Sequence, residues 1–221
     1  MAEDVVIVDY GMGNLFSVAA ACEAVGATSK VTNAPEEIEA AAALILPGVG
    51  AFGDAMTTLA LRGLDSAIQR AVARGTPLLA ICLGMQLLLD KSSEHGRHAG
   101  LGLVGGRVLS LRGTNAHSRR LKVPQVGWFP VQPTAEGSWE GTPLRSLEPG
   151  TPMYFVHSFH CVLEDPARSV AVASFGGSTY CAAFRVGPIF ACQFHPERSG
   201  RRGLEVYREF ITAAREEARH P

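Results

Sequence analysis

The chain has 221 residues, 47% of them hydrophobic and 19% charged, with a formal net charge of −1. That length buries a substantial core in a single domain spanning 1–221, and the near-neutral charge gives no drive toward nucleic acid or an anionic membrane surface. No run of about 18 apolar residues offers a bilayer span, and five cysteines without a Cys-x-x-Cys pair fit reduced cytoplasmic thiols better than disulfides or a metal site.

Val5–Val8 reads as a first buried strand, and the preceding residues lack the basic start of a signal peptide. Asp9 to Asn14 forms a loop. A helix follows from about Asn14, with Leu15, Val18, Ala19, Cys22 and Val25 on one face and Gly26 past its end. The Gly-x-Gly of this loop lacks the third glycine and the distant acidic residue of a dinucleotide fingerprint, which favours a tight strand-to-helix turn. Ala27–Thr32 is a second strand, Pro35 opens a short helix, and Ala43–Leu46 is a third strand. Pro47 to Gly53 then carries three glycines, either an ordinary strand-to-helix loop or a ligand-facing turn. Helical sequence runs from about Asp54 to Arg74.

Leu78-Leu79-Ala80-Ile81 fits a strand buried on both faces, and Cys82-Leu83-Gly84 turns into a helix with Met85, Leu88 and Leu89 at helical spacing. A cysteine at this corner has two readings. It is a buried, inert thiol, or it is a nucleophile at a strand-to-helix elbow, where free N–H groups favour a thiolate.

Beyond Leu101, apolar residues alternate with glycine and proline through Val131, as in hairpins added to one side of a sheet. His117 to Lys122 is a local basic run, either a solvated loop or an anion contact. Ser138 to Gly150 reads as a surface loop. Strands follow at Met153–Phe159, Val170–Ser174, Tyr180–Arg185 and Ile189–Phe194. The last helix starts near Ser199 and places Leu204, Tyr207, Phe210, Ile211 and Ala214 on one face.

His195-Pro196-Glu197 follows the last strand. Residues two apart in an extended segment point the same way, and the proline favours extended backbone. Glu197 can therefore orient His195, which serves Cys82 as base and acid. The expected fold is α/β: a doubly wound, mostly parallel sheet with added antiparallel hairpins. Gly48 to Gly50 and Cys82 sit at the carboxyl ends of its strands, where ligands bind. A backbone N–H at Val49 or Gly50 could complete an oxyanion hole with that of Leu83.

Cys82-Leu83-Gly84-Met85-Gln86 together with His195-Pro196-Glu197 resembles the class I, triad-type glutamine amidotransferases. The segments Val8–Leu15, Pro47–Phe52, Val123–Trp128, Phe155–Ser158 and Gln193–Gly200 extend the likeness to the glutaminase subunits of imidazole glycerol phosphate synthases. The resemblance implies a class I glutamine amidotransferase-like fold and a catalytic triad of Cys82, His195 and Glu197. It implies an oxyanion hole from Gly48, Val49, Gly50 and Leu83, with Gln86, His157, Ser158 and Phe159 holding substrate. It further implies glutamine as substrate, no cofactor or metal, and a (β/α)8-barrel cyclase as heterodimer partner, met through Asn14 and Trp128. Four positions depart from the family pattern: Ala80 for glycine, Phe159 for tyrosine, and Gln125 and Phe129 for histidine and asparagine. They leave room for a glutaminase feeding a different synthase, or a cysteine hydrolase of the same architecture.

Overall fold

The computed structural model describes residues 3–113 and 121–219. His117 to Arg120 of the basic run lie outside them. The first half alternates β1 (Val5–Val8), α1 (Leu15–Ala24), β2 (Ser29–Thr32), α2 (Pro35–Glu39), β3 (Leu44–Leu46), α3 (Phe52–Leu61), α4 (Leu64–Ala73) and β4 (Leu78–Ile81). The long helical stretch is broken at Gly63, whose φ of +68° a side chain would strain. Next come α5 (Leu83–Leu87), β5 (Leu89–Ser92), β6 (His98–Ala99), β7 (Val104–Ser110), β8 (Gln125–Pro130) and β9 (Gln132–Pro133). The chain closes with β10 (Pro152–His157), β11 (Phe159–Leu163), β12 (Ser169–Phe175), β13 (Ser178–Val186), β14 (Ile189–Cys192) and α6 (Gly200–Arg219).

The main sheet has eight strands in the order β2-β1-β3-β4-β14-β13-β12-β9. Its first five run parallel, and β14, β13, β12 and β9 pair antiparallel. The inner parallel strands β1, β3, β4 and β14 are apolar throughout because both faces are covered, while the edge strand β2, Ser-Lys-Val-Thr, is only half-buried. Val5, Ile7, Ile45, Leu79 and Ile81 face α1 and α6, while Val6, Val8, Leu44, Leu46, Leu78 and Ala80 face the layer of α2, α3 and α4. Ala80, the departure from glycine, is fully buried there between its neighbours Leu46 and Ala191. The ends of the chain are tied by Arg215, which donates to both Asp4 carboxylate oxygens at 2.7 and 2.8 Å.

Three expectations change. The helix after Cys82 has only five residues, and Leu89 starts a strand. The alternating region does not fold as local hairpins. β7 pairs with β11 and β5, and β8 with β10, in two small sheets. Ser138 to Gly150 is turn-rich, yet Trp139, Leu144 and Leu147 plug into the core beside α6. A polar composition hid three anchors.

Candidate active site

Sheet order assembles the site. β4 and β14 are parallel neighbours, so the residues just past their carboxyl ends, Cys82 and His195, emerge side by side. The Cys82 N–H extends the ladder by donating to the Cys192 carbonyl at 2.8 Å. Cys82 then takes φ 54° and ψ −107°, a strained turn of the kind that lifts a nucleophile off a strand end. Gly84 makes this corner possible: a Cβ there would lie 1.9 Å from the Leu46 carbonyl oxygen.

His195 is fixed through its backbone. Its N–H donates to the Tyr154 carbonyl at 2.8 Å, and its carbonyl accepts from the Ser199 hydroxyl at 2.7 Å. Its Nδ1 meets Glu197 Oε1 at 2.7 Å, with the two side chains only 4% and 3% exposed. Burial by itself pulls the imidazole down. The charge and hydrogen-bonding capacity of the Cys82 sulfur, followed by Glu197, outweigh that and raise it to about 10. Among the described residues Nε2 has no other hydrogen-bond partner and is left for the sulfur.

The short α5 carries little of a helix dipole, and its first N–H is already taken. Leu83 N–H donates to the Gly48 carbonyl at 3.3 Å, so the two sides of the expected oxyanion hole are bonded to each other here. The Gly48 turn is tightly seated. Tyr10 donates its hydroxyl to the Pro47 carbonyl at 2.8 Å, and a Cβ on Gly48 would lie 2.1 Å from that same hydroxyl oxygen. Gly50 has φ +109° and abuts Met12.

Cys82 opens into a cleft of about 400 Å³ lined by Val49, Gly50, Gln86, Ser158 and Phe159 among others. Gln86 spends both amide hydrogens, on the Phe159 carbonyl and on Gln193 Oε1, each at 3.0 Å. Three residues enter the site that the sequence reading did not single out. Gln193, fully buried, donates from Nε2 to Cys82 Sγ at 3.6 Å. Glu94 lines the cleft and accepts from the Phe52 N–H at 2.8 Å through one oxygen. Arg198 also lines it and stacks over the Tyr154 ring at 4.4 Å. An uncharged residue just past β14 and a carboxylate in a polar stretch after α5 give no periodic signal. Only the adjacency of strands finds them.

Asn14 caps α1, its Oδ1 accepting from the Ser17 N–H at 3.2 Å. Trp128 is 62% exposed and stands edge-on to Tyr154 at 4.9 Å. With Val126 at 53%, Val123 at 43% and Val49 at 43%, it gives the rim beside the cleft an apolar character. No group of three His, Cys, Asp or Glu side chains among the described residues is arranged to hold a metal ion.

Comparison with known proteins gives the family. The family model for class-I glutamine amidotransferase matches residues 6–214. Imidazole glycerol phosphate synthase subunit HisH of Moorella thermoacetica is 43% identical, over 93% of this chain and 93% of its own. The HisH subunit of Thermosynechococcus vestitus is 40% identical, over 97% and 99%. HisH 1 of Legionella pneumophila (strain Lens) is 40% identical, over 93% and 97%. Among solved structures, PurLQS from Thermotoga maritima superposes with a TM-score of 0.71 at 21% identity, over 96% of this chain and 99% of that one. A structure described as a glutamine amidotransferase superposes at 0.67 and 21%, over 95% and 98%. These two likenesses bear on the fold. The chain belongs to the class-I glutamine amidotransferase family and, within it, to the HisH subunits of imidazole glycerol phosphate synthase.

Proposed function

We propose that the chain is one glutaminase domain that hydrolyses glutamine through Cys82 and passes the ammonia to a (β/α)8-barrel cyclase for imidazole glycerol phosphate formation in histidine biosynthesis. The carrying observation is the buried His195–Glu197 pair, its imidazole raised by the neighbouring Cys82 sulfur, with Cys82 at the wall of the cleft.

The chemistry runs in two halves. The Cys82 thiolate attacks the side-chain amide carbon of glutamine, and the carbonyl π pair moves to oxygen. His195 gives its Nε2 proton to the amide nitrogen, the C–N bond breaks, and ammonia leaves a thioester on sulfur. Neutral His195 then takes a proton from water as the water oxygen attacks. The C–S bond breaks, glutamate departs, and thiolate and imidazolium are restored. Glu197 holds the tautomer that keeps Nε2 aimed at sulfur. The Val49 and Gly50 N–H groups and that of Leu83 receive the oxyanion once the Gly48 carbonyl releases Leu83. Gln86 and the Ser158–Phe159 backbone bound the substrate's amino-acid end. Glu94, a carboxylate at the wall of the cleft, suits its ammonium group.

The apolar rim of Val123, Val126 and Trp128 is the surface we assign to the cyclase, next to the point of ammonia release. No helix among the described residues is long and apolar enough to cross a membrane.

The test is glutamate release from glutamine, with and without the cyclase subunit from the same genome and that subunit's nucleotide ligand. Stimulation by the loaded cyclase is expected. Hydrolysis indifferent to the cyclase would move the chain to another synthase, and no hydrolysis in either case would end the glutaminase reading.

A further inference from the structure

From His157 at the wall of the cleft, a buried line of polar side chains that the triad does not use runs inward. His157 Nδ1 is 2.8 Å from the Phe159 carbonyl oxygen, and its Nε2 is 3.3 Å from the Tyr180 hydroxyl. The Tyr180 hydroxyl in turn is 3.0 Å from Gln125 Oε1. Gln125 is 1% exposed, Tyr180 4% and His157 5%. Water therefore does little to satisfy these groups.

Counting protons gives the line a direction. A carbonyl only accepts, so His157 Nδ1 carries a proton and donates to Phe159. Burial holds His157 down to about 4, so the ring is neutral and Nε2 has a lone pair. Tyr180 must then give its one proton to Nε2, and it has none left for Gln125. With Oε1 toward Tyr180, Gln125 also buries Nε2 without a partner among the described residues. Turning the amide end for end removes the conflict over the Tyr180 proton, because the Gln125 NH2 then donates to the Tyr180 oxygen. Every proton now points inward: Gln125 to Tyr180, Tyr180 to His157, His157 to the Phe159 carbonyl. That carbonyl takes its second bond from Gln86, which also grips Gln193, which donates to the Cys82 sulfur.

We propose that Gln125 and Tyr180 are positioning residues for glutamine turnover, acting through His157 and the Phe159 carbonyl on the Gln86–Gln193 bridge that meets the Cys82 sulfur. The inference rests on the glutaminase reading of the site. It gives Gln125, one of the departures from the family pattern, a task. It also links β8, which bears the exposed Trp128, to the substrate cleft by bonds that run in one direction as far as the Phe159 carbonyl, where the Gln86 amide meets them.

Tyr180→Phe removes the hydroxyl and keeps the ring, which packs edge-on to Phe155 at 6.1 Å. Gln125→Met keeps length and bulk without the amide. Each single variant, assayed for glutamate release with the cyclase present, is expected to raise KM for glutamine by about two- to tenfold, the range for one neutral hydrogen bond. The drop in kcat is expected to be smaller. The double variant should be no worse than the poorer single one, because the two changes break one line. Penalties that multiply in the double variant would overturn the relay. So would an unchanged KM in Tyr180→Phe beside an active wild type. An inactive wild-type chain would overturn the glutaminase reading and the relay with it.

Discussion

Glu197→Gln keeps the shape of the side chain and removes its charge. The bond it weakens is 2.7 Å long and lies between side chains that water barely reaches, at 4% and 3% exposure. A hydrogen bond to a charged group in such a place contributes about 1.5–3 kcal/mol. Withdrawn from the protonated imidazole, that amounts to about 1–2 pKa units, which lowers His195 from its position near 10. Withdrawn from the transition state in which neutral His195 takes its proton from water, the same energy slows thioester hydrolysis, and with it turnover, about 10- to 200-fold.

Stability carries an independent signature. The folded chain holds the His195 proton more tightly than the unfolded chain, whose ordinary value is 6.5. Its contribution is therefore complete below that pH and is lost as pH rises toward about 10. The melting-temperature gap between wild type and variant should be wide below pH 6.5 and should narrow toward pH 10. Glutamate release at saturating glutamine, with thermal melts across the same pH range, reads both. Turnover within about twofold of wild type, or melting profiles that stay parallel, would refute the view that Glu197 charges and orients His195.

Cys82→Ser should abolish glutamine-dependent synthesis by the assembled enzyme and leave ammonia-dependent synthesis intact, measured as imidazole glycerol phosphate formed from each nitrogen source. Loss of both would give Cys82 a structural role as well. Gly84→Ala forces a methyl onto the Leu46 carbonyl, 1.9 Å from the new carbon, and should cost about 3 kcal/mol in urea unfolding. An unchanged midpoint would mean that the elbow backbone yields easily. Trp128→Ala should leave the melting temperature of the isolated chain unchanged and weaken cyclase binding by about 2 kcal/mol, close to thirtyfold by titration calorimetry.

The alternation of apolar strands and helices in the first half made the parallel sheet legible, because strands covered on both faces are apolar at every position. Cys82 and His195-Pro196-Glu197 stood out as a spaced pair whose chemistry is recognisable without coordinates. What stayed hidden depends on which strands become neighbours. Gln193, Tyr180 and Gln125 look like ordinary strand residues until β14, β13 and β8 place them in line behind the cleft. Leu88 and Leu89 kept helical spacing in the sequence, yet β7 pairs with Leu89 and turns it into a strand start. The anchors Trp139, Leu144 and Leu147 were masked by the polar turns around them.

The place of β14 in the sheet also governs when the protein can first act. This strand comes near the end of the sequence but sits in the middle of the sheet, between β4 and β13, and its Cys192 carbonyl holds the Cys82 N–H. On the ribosome, the nucleophile just past β4 is made more than a hundred residues before its histidine and waits until β14 has emerged. A truncated product lacking β14 has neither the base nor the sheet neighbour that shapes the elbow. Chains that stop before β14 therefore carry the nucleophile without the base that turns glutamine over.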